Sequence, residues 1–352
     1  RNELGKADRS ARQLHRAYGE MLKTLSQSPN QGQLPTLAQL LGDRLIQILK
    51  CLTLYCPIHE RFFETVEKRR QHFEKLGFEP RPGLQGIHHG VVVRVQQEIE
   101  ELLPSLLPSE DFAEKREALR ARLENLLVES GGVPPGSRLI IFGSSANNFG
   151  RDTSDMDMCV FTPGPIDDRS ELVRSISRAL EASEDVIELN LRDTARIPIV
   201  MFKDSVTGID CDISCGNALA VRNTALLRTY SHCDPRVRAL AYILKLWTTR
   251  RHINDPSKAT LSSYGYLMTI IVFLQTRKPP ILSNLQQLPP DWPNSKSGAK
   301  PQLLVLHDTK DLECDTYFHT PPNDDFSQLR RFGAANQASV AALLLSYFHF
   351  YA

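Results

Sequence analysis

Two aspartates, Asp155 and Asp157, open a run of strand-forming residues (DMDMCVF) that follows the pair Gly143-Ser144 after ten intervening residues. Strand side chains alternate between faces, so both carboxylates point one way while Met156, Met158 and Val160 point the other. Like charges this close disfavour each other unless a cation neutralises them. Oxygen ligands select a hard ion, magnesium or manganese. Exposed strand aspartates are the plain alternative, but Gly143-Ser144 weighs against it. Small residues let the backbone approach a triphosphate closely and offer amide and hydroxyl donors to its oxygens. The run GIDCDISC supplies Asp210 and Asp212, again on one face of one strand. One of these two would complete a two-ion phosphoryl-transfer site, in which one ion acidifies an attacking hydroxyl and the other holds the triphosphate and the leaving pyrophosphate.

These residues must be positioned by a sheet. Four runs read as strands, RLIIF, DMDMCVF, ARIPIVMF and GIDCDISC, with one amphipathic helix (ELVRSISRALEA) after the second. The pattern predicts a mixed sheet with a crossover helix, and Pro198 inside the third run predicts an edge or a bulge there. Upstream, Leu119, Leu123, Leu126 and Leu127 make one face of a helix over 113–129 that packs against the strand segment after it. After Asn223 the 3.6-residue period returns in Val237, Leu240, Ala241, Leu244 and Trp247, then in Leu267, Ile270, Ile271 and Leu274. A core helix is expected from Ala334 to Tyr351. Residues 1–95 read as a helical extension, with Leu37, Leu40, Leu41 and Leu45 near helical spacing. Breaks fall at 77–90, 103–109, 131–137 and 278–301, where Pro, Gly and Ser collect.

With 352 residues, 41% apolar and 24% charged, the chain is an ordinary globular protein of two or three domains. No apolar run approaches the roughly 20 residues of a membrane span. The opening RNELGKADRS lacks a signal-peptide core, so an unsecreted, cytoplasmic protein is expected. A chain opening on Arg1 reads as a processed or trimmed product. Its seven cysteines lack CxxC spacing, which argues against a disulfide framework or a zinc module and for buried thiols. A net charge of +1 gives no general attraction to nucleic acid; such contact requires a local patch.

In this order the motifs resemble the terminal nucleotidyltransferases of the DNA polymerase β superfamily, in the group of RNA poly(U)-, poly(A)- and poly(C)-adding enzymes related to the caffeine-induced-death proteins. The resemblance runs from about residue 113 to the end. It includes ARIPIV at 195–200, CDISCGN at 211–217, RNTALLRTY at 222–230, LKLW at 244–247, LSSYGY at 261–266 and KPPILSNLQ at 278–286. It implies an α+β fold: a polymerase β-like palm over 113–222 with a mixed sheet and helices, a helical central domain over 223–352 on which the helices before residue 130 pack, and a cleft between the two holding the nucleotide. It implies Asp155, Asp157 and Asp212 as ligands of two magnesium or manganese ions, with Asp212 serving the 3′-hydroxyl, and so favours Asp212 over Asp210.

The same resemblance places Phe142, Gly143 and Ser144 at base and triphosphate, Asn223 and Thr224 at the ribose 2′-hydroxyl and base edge, Lys245 and Ser263 at phosphate, and Tyr264 stacked on the base. Substrates would be a ribonucleoside triphosphate and an RNA 3′ end, with UTP or CTP ahead of ATP and no membrane partner. The alternatives are a poly(A) polymerase and an inactive RNA-binding scaffold, against which the intact acidic triad argues. Independently, Ser262 and Ser263 open a helix whose N-terminus attracts anions, and a tyrosine ring accepts any base. Capping serines and a packed tyrosine are the bland alternative.

Thr249 departs from the group, standing where many relatives carry a second phosphate-binding lysine. Arg250 or Arg251 could supply that charge, and a solvated helix end is the simpler reading of both. The group's base-recognition loop is expected beyond Ala352, which leaves the base unread. Lys68, Arg69, Arg70 and Lys75, or Arg116, Arg120 and Arg122, could track an RNA backbone; interleaved with Glu, they read first as helix surface. His88-His89 reads as a loop pair without ligand partners.

Overall fold

The computed structural model describes residues 55–56, 61–62, 89–287, 302–306 and 312–351. Lys68, Arg69, Arg70, Lys75, the leucine stripe at 37–45 and most of the segment read as an extension lie outside them. Within that segment Tyr55–Cys56 pairs antiparallel with Arg61–Phe62. The helices in chain order are α1 (His89–Leu102), α2 (Phe112–Glu129), α3 (Arg169–Glu181), α4 (Ala218–Cys233), α5 (Pro235–Arg250), α6 (Ser263–Gln275), α7 (Ser327–Gly333) and α8 (Val340–Phe350). The strands are β1 (Arg138–Phe142), β2 (Met156–Phe161), β3 (Val186–Arg192), β4 (Ile199–Asp204), β5 (Asp210–Cys215), β6 (Leu303–Leu306) and β7 (Leu312–Asp315). By its own contacts the chain divides into two units. One comprises residues 105–238 and 274–336, the other residues 1–104, 239–273 and 337–352.

The first unit is built on a five-stranded mixed sheet of order β1-β2-β5-β4-β3. Only β2 and β5 run parallel, and the other pairs are antiparallel. The reason is the crossover: α3 returns the chain after β2, and two tight reversals then bring β5 back beside it. The side of the sheet carrying Met156, Met158, Val160, Val200, Phe202, Cys211, Ile213 and Cys215 is packed against Leu119, Leu123 and Leu127 of α2 and Val173, Ile176 and Leu180 of α3. Each such side chain removed from water contributes about 1.5–3 kcal/mol, so the core fixes which way every strand faces. Asp168 caps α3, its carboxylate accepting from the amides of Ser170 and Glu171. Cys159, Cys211, Cys215 and Cys233 are buried free thiols, as the spacing predicts.

Several expectations are corrected. The fourth of the sheet's five strands in sequence order is β4, and it is an inner strand between β5 and β3. Pro198 precedes it by one residue, where a missing N–H costs no ladder bond. The bulge lies instead in β3, a strand that the sequence pattern does not announce, where the register shifts between Ile187 and Asn190 and Glu188 takes φ 54°. His89 opens α1 and so belongs to a helix rather than a loop. The last helix begins at Val340, because Ser339 is extended and its hydroxyl caps the amide of Ala342; residues 334–339 are a non-helical connection from the separate α7.

Arg116, Arg120 and Arg122 are neither free to track RNA nor plain surface. Arg120 pairs with Glu117 at 2.7 Å and Glu124 at 2.8 Å. Arg122 grips Asp185 and the fully buried Asp204, whose second oxygen accepts from Thr207 N and Oγ1 at 2.8 and 2.6 Å. This clamp ties α2 to the β4–β5 reversal.

Apart from the short Tyr55–Cys56/Arg61–Phe62 pair, the regular structure among the described residues of the second unit is helical. Trp247 meets Phe348 edge-on at 5.1 Å and Phe273 meets Tyr347 at 5.5 Å. The Tyr351 hydroxyl donates to Thr269 O at 2.8 Å, and Gln96 of α1 accepts from the Ala341 amide at 3.0 Å. No helix among the described residues is long and apolar enough to cross a membrane.

Arg122→Ala leaves the buried Asp204 without its counter-charge and is expected to cost on the order of 3 kcal/mol. Urea denaturation followed by circular dichroism checks this, an unchanged midpoint being the contrary result.

Candidate active site

Asp157, Asp210 and Asp212 lie on the sheet face opposite α2 and α3, whereas Asp204 turns toward α2. In β2 the buried Met156 and Met158 turn toward the core, so Asp157 between them turns away, and the buried Cys211 and Ile213 do the same for Asp212 in β5. Asp157 and Asp212 are register partners across the parallel β2–β5 pair. Phe142 is in register with Asp157 on one side and Met201 with Asp212 on the other. Four side chains therefore form a row across four strands, each roughly 5 Å from the next. Asp155 stands just before β2, exposed, two residues from Asp157.

Asp210, the other carboxylate of GIDCDISC, is in register with Lys203 and paired to its ammonium at 3.0 Å. That pairing holds the Lys203 ammonium above its ordinary pKa. Asp212 has no such bond. Burial pushes its carboxyl above the usual range, the Asp155 charge pushes the same way, and the Arg192 guanidinium opposes them. Carboxylates that burden one another in this manner suit a bound cation, and their all-oxygen character suits a hard one. Among the described residues no three acidic, histidine or cysteine side chains are already drawn into a closed ligand set. The arrangement is an open row of carboxylates on one face.

Beside this row the chain leaves β1 through a tight turn, Gly143–Ser145. Gly143 has φ 66°, and a Cβ there would stand 3.1 Å from the Asp157 Cγ and collide with its carboxylate. Glycine is required on both counts. The Gly143 amide donates to Thr224 Oγ1 at 2.9 Å, and that hydroxyl donates to Ala220 O at 2.8 Å. Thr224, expected at the ribose, is thus buried with its hydroxyl committed to holding the turn. Asn223 lies beside it on α4, half-buried.

The structure places Phe142, Gly143, Ser144, Asp155, Asp157, Asp212, Asn223 and Thr224 in the sheet unit. Lys245, Ser263 and Tyr264 belong to the helical unit. There the Ser262 hydroxyl accepts from the Gly265 amide at 3.1 Å, capping α6, and Tyr264 keeps 43% of its surface exposed on the first turn. Burial raises the Tyr264 hydroxyl pKa. Thr249 is exposed and accepts from Asn254 Nδ2 at 3.1 Å.

One participant has no counterpart among the sequence-predicted site residues. Arg116 is 3% exposed and donates through Nε to Ser145 Oγ at 3.0 Å and through Nη2 to Ser154 O at 2.7 Å. Its signal is its position: it continues the stripe Leu119, Leu123, Leu127, where an unpaired surface arginine does not belong.

The family model for the central palm domain of mitochondrial-like poly(A) RNA polymerases matches residues 95–232. Poly(A) RNA polymerase GLD2 of Danio rerio is 32% identical over 262 residues, covering 74% of this chain and 49% of its own. Terminal uridylyltransferase 7 of Homo sapiens is 33% identical over 261 residues, 73% of this chain and 17% of its own. The chain thus spans about half the length of the GLD2 proteins it matches. Among solved structures, the Cid1 poly(U) polymerase with magnesium and 3′-dATP aligns with TM-score 0.58 and 25% identity over 73% of both chains. A cytoplasmic RNA terminal U-transferase aligns with TM-score 0.56 and 26% identity over 73% of this chain and 70% of that one. The mixed sheet with its helices is the polymerase β-like palm that the motifs imply.

A folded-state pKa raised above the ordinary 3.8 means that the ionised Asp212 burdens the native state above that range and ceases to do so once protonated. Asp212→Asn is therefore expected to raise the Tm of the metal-free protein at pH 7 by about 1–3 °C. The gain should shrink as pH falls through the elevated pKa. Differential scanning calorimetry at steps from pH 7 down to the ordinary value of 3.8 reads it, and a lowered Tm at pH 7 counts against the crowded-carboxylate account.

Proposed function

Because the chain belongs to the Cid1/GLD2 group of RNA nucleotidyltransferases, we propose that it adds ribonucleotides to an RNA 3′ end without a template. The observation that carries this reading is the register pairing of Asp157 with Asp212 on the open face, with Asp155 and the Gly143 turn beside them. In the reaction the 3′-oxygen bonds to the α-phosphorus, the bond from that phosphorus to the bridging oxygen of the β-phosphate breaks, and pyrophosphate leaves with the electron pair. Asp155, Asp157 and Asp212 would hold two divalent ions, magnesium or manganese, which neutralise the triphosphate and acidify the attacking hydroxyl. Solved Cid1 structures are described with magnesium and 3′-dATP, GTP or ATP, which supports divalent-ion use here.

The chain's own groups orient the reactants. Asp212, as the family pattern implies, serves the incoming 3′-hydroxyl by helping to hold the ion that would acidify it. Ser144 and the backbone of the turn face triphosphate oxygens, which the bare Gly143 allows to approach. Lys245 and Ser263 contribute phosphate contacts, and Phe142 and Tyr264 contact the base, as the family pattern implies. Asn223 reads the ribose 2′-hydroxyl while Thr224 fixes the turn next to it.

For the base we propose a pyrimidine, UTP or CTP, ahead of ATP. The uridylyltransferase and poly(A) polymerase relatives match at like identity, so the four nucleotides must be compared directly. Cytoplasmic residence goes with the same reading, the second solved relative being described as cytoplasmic.

The test is extension of a labelled oligoribonucleotide with magnesium or manganese and each NTP separately. Asp157→Ala is expected to lower extension by at least about 10³-fold with the fold retained, since removing a ligand dismantles the charge stabilisation of the transition state. A full-rate variant, or a wild type inert with all four NTPs, overturns the reading; preference for ATP corrects the base alone. Asn223→Ala should lose about tenfold or more of the discrimination against dNTPs, the loss of one hydrogen bond at a polar site. Unchanged discrimination removes Asn223 from the ribose.

A further inference from the structure

The loop from Ser145 to Asp155 delivers the first carboxylate of the site, and a single buried cation holds both of its ends. Arg116 Nε donates to Ser145 Oγ at 3.0 Å, near the loop's start. Its Nη2 donates to Ser154 O at 2.7 Å and Asp152 O at 3.3 Å, near the loop's end. Ser145 Oγ in turn donates to the carbonyl of Asp155 at 3.0 Å. The guanidinium carbon lies over the Phe112 ring, 3.8 Å from its centroid, a cation–π contact in addition to the hydrogen bonds. The same ring closes on Gly150, where any Cβ would strike Phe112 Cζ at 2.8 Å.

A guanidinium at 3% exposure is a costly thing to keep when none of its hydrogen bonds goes to a carboxylate. Burial indeed lowers its pKa, with Asp152 the foremost charge opposing that effect. Its donors are spent on a hydroxyl and two carbonyls of one loop. Packing does not require this, because Leu119, Leu123 and Leu127 already seat α2. What the arginine adds is geometry: a planar fork addresses Ser145 and Ser154 at once, which the point charge of a lysine cannot do.

We propose that Arg116 is a positioning residue for cation binding, acting through Ser145 and the Ser154 carbonyl to fix Asp155 relative to Asp157. The inference rests on the assignment of Asp155 as a metal ligand in the proposed function. Arg116 touches neither substrate nor ion, and its effect is mechanical. The acidic face stays charged without it, but the first carboxylate is no longer held in place.

The experiment uses the full chain and Mn2+ alone as probe, with free ion counted by electron paramagnetic resonance. Wild type, Arg116→Lys, Ser145→Ala, the double variant and Asp157→Ala are compared, each well below its own Tm. Arg116→Lys is expected to weaken Mn2+ binding about tenfold, as loss of outer-shell support does. Ser145→Ala should move it in the same direction by less, and the double variant should be no worse than Arg116→Lys, because both act through one path. In extension assays the two single variants should need more magnesium for half-maximal rate while KM for the NTP stays within about twofold, a split that a merely structural role does not produce. Should Arg116→Lys fail to fold, Ser145→Ala decides alone.

Folded variants with wild-type Mn2+ affinity overturn the inference while leaving the proposed function standing, provided Asp157→Ala does reduce binding. If Asp157→Ala binds Mn2+ like wild type, the metal assignment fails and this inference falls with it.

Discussion

In the parallel pairing of β2 with β5, Asp157 lies opposite Asp212, and the rest of the acidic face is set by that register. Strand side chains repeat every two residues, so a slip of one position would set Asp157 against Cys211 or Ile213 and carry a carboxylate toward α2 and α3. Such a slip would bury a charge among Val173, Ile176 and Leu180 and expose Ile213, both unfavourable. The apolar side of the sheet thus determines the geometry of the polar side. The core contains no functional group, yet it is what brings two residues 55 positions apart (212 minus 157) onto one line.

That line is held against its own electrostatics. Asp155, Asp157, Asp210 and Asp212 share a face, in a chain whose net charge is only +1. Lys203 answers Asp210 directly, and Arg192 partly answers Asp212. The residual crowding is concentrated at the position where charge is to be met by a ligand, a pattern common at functional sites. Lys203 also separates the two carboxylates of GIDCDISC in role. With Asp210 bound to the strand on one side, Asp212 is the one left facing Asp157.

Most of the palm is legible in the sequence because its signals are local. DMDMCVF and GIDCDISC alternate cleanly, α3 is amphipathic, and Leu119, Leu123 and Leu127 repeat at helical spacing. The strand β3 escapes notice although Ile187, Leu189 and Leu191 alternate, since its bulge at Glu188 breaks the register and most of its side chains are exposed at the sheet's edge. Pro198 misleads because a proline one residue ahead of a strand and one inside it look alike in sequence. Arg116 shows in the sequence only as an arginine within an apolar stripe: its partners are backbone carbonyls and a hydroxyl some thirty to forty residues away, and residue type does not announce such bonds.

The turn at Gly143 shows how such non-local contacts finish a motif that sequence can only outline. Its left-handed backbone is set by glycine, its separation from Asp157 by the missing Cβ, and its amide by the Thr224 hydroxyl. Thr224 is in place because α4 starts beside the sheet: Asn217 caps that helix with its side chain and donates its own amide to Cys159 Sγ at 3.0 Å. Strand β2 therefore positions the turn twice, through Asp157 against Gly143 and through Cys159, Asn217 and Thr224 on the far side. A displacement of α4 would reach the turn without touching a carboxylate, which makes the helix start as much a part of the site's construction as the aspartates themselves.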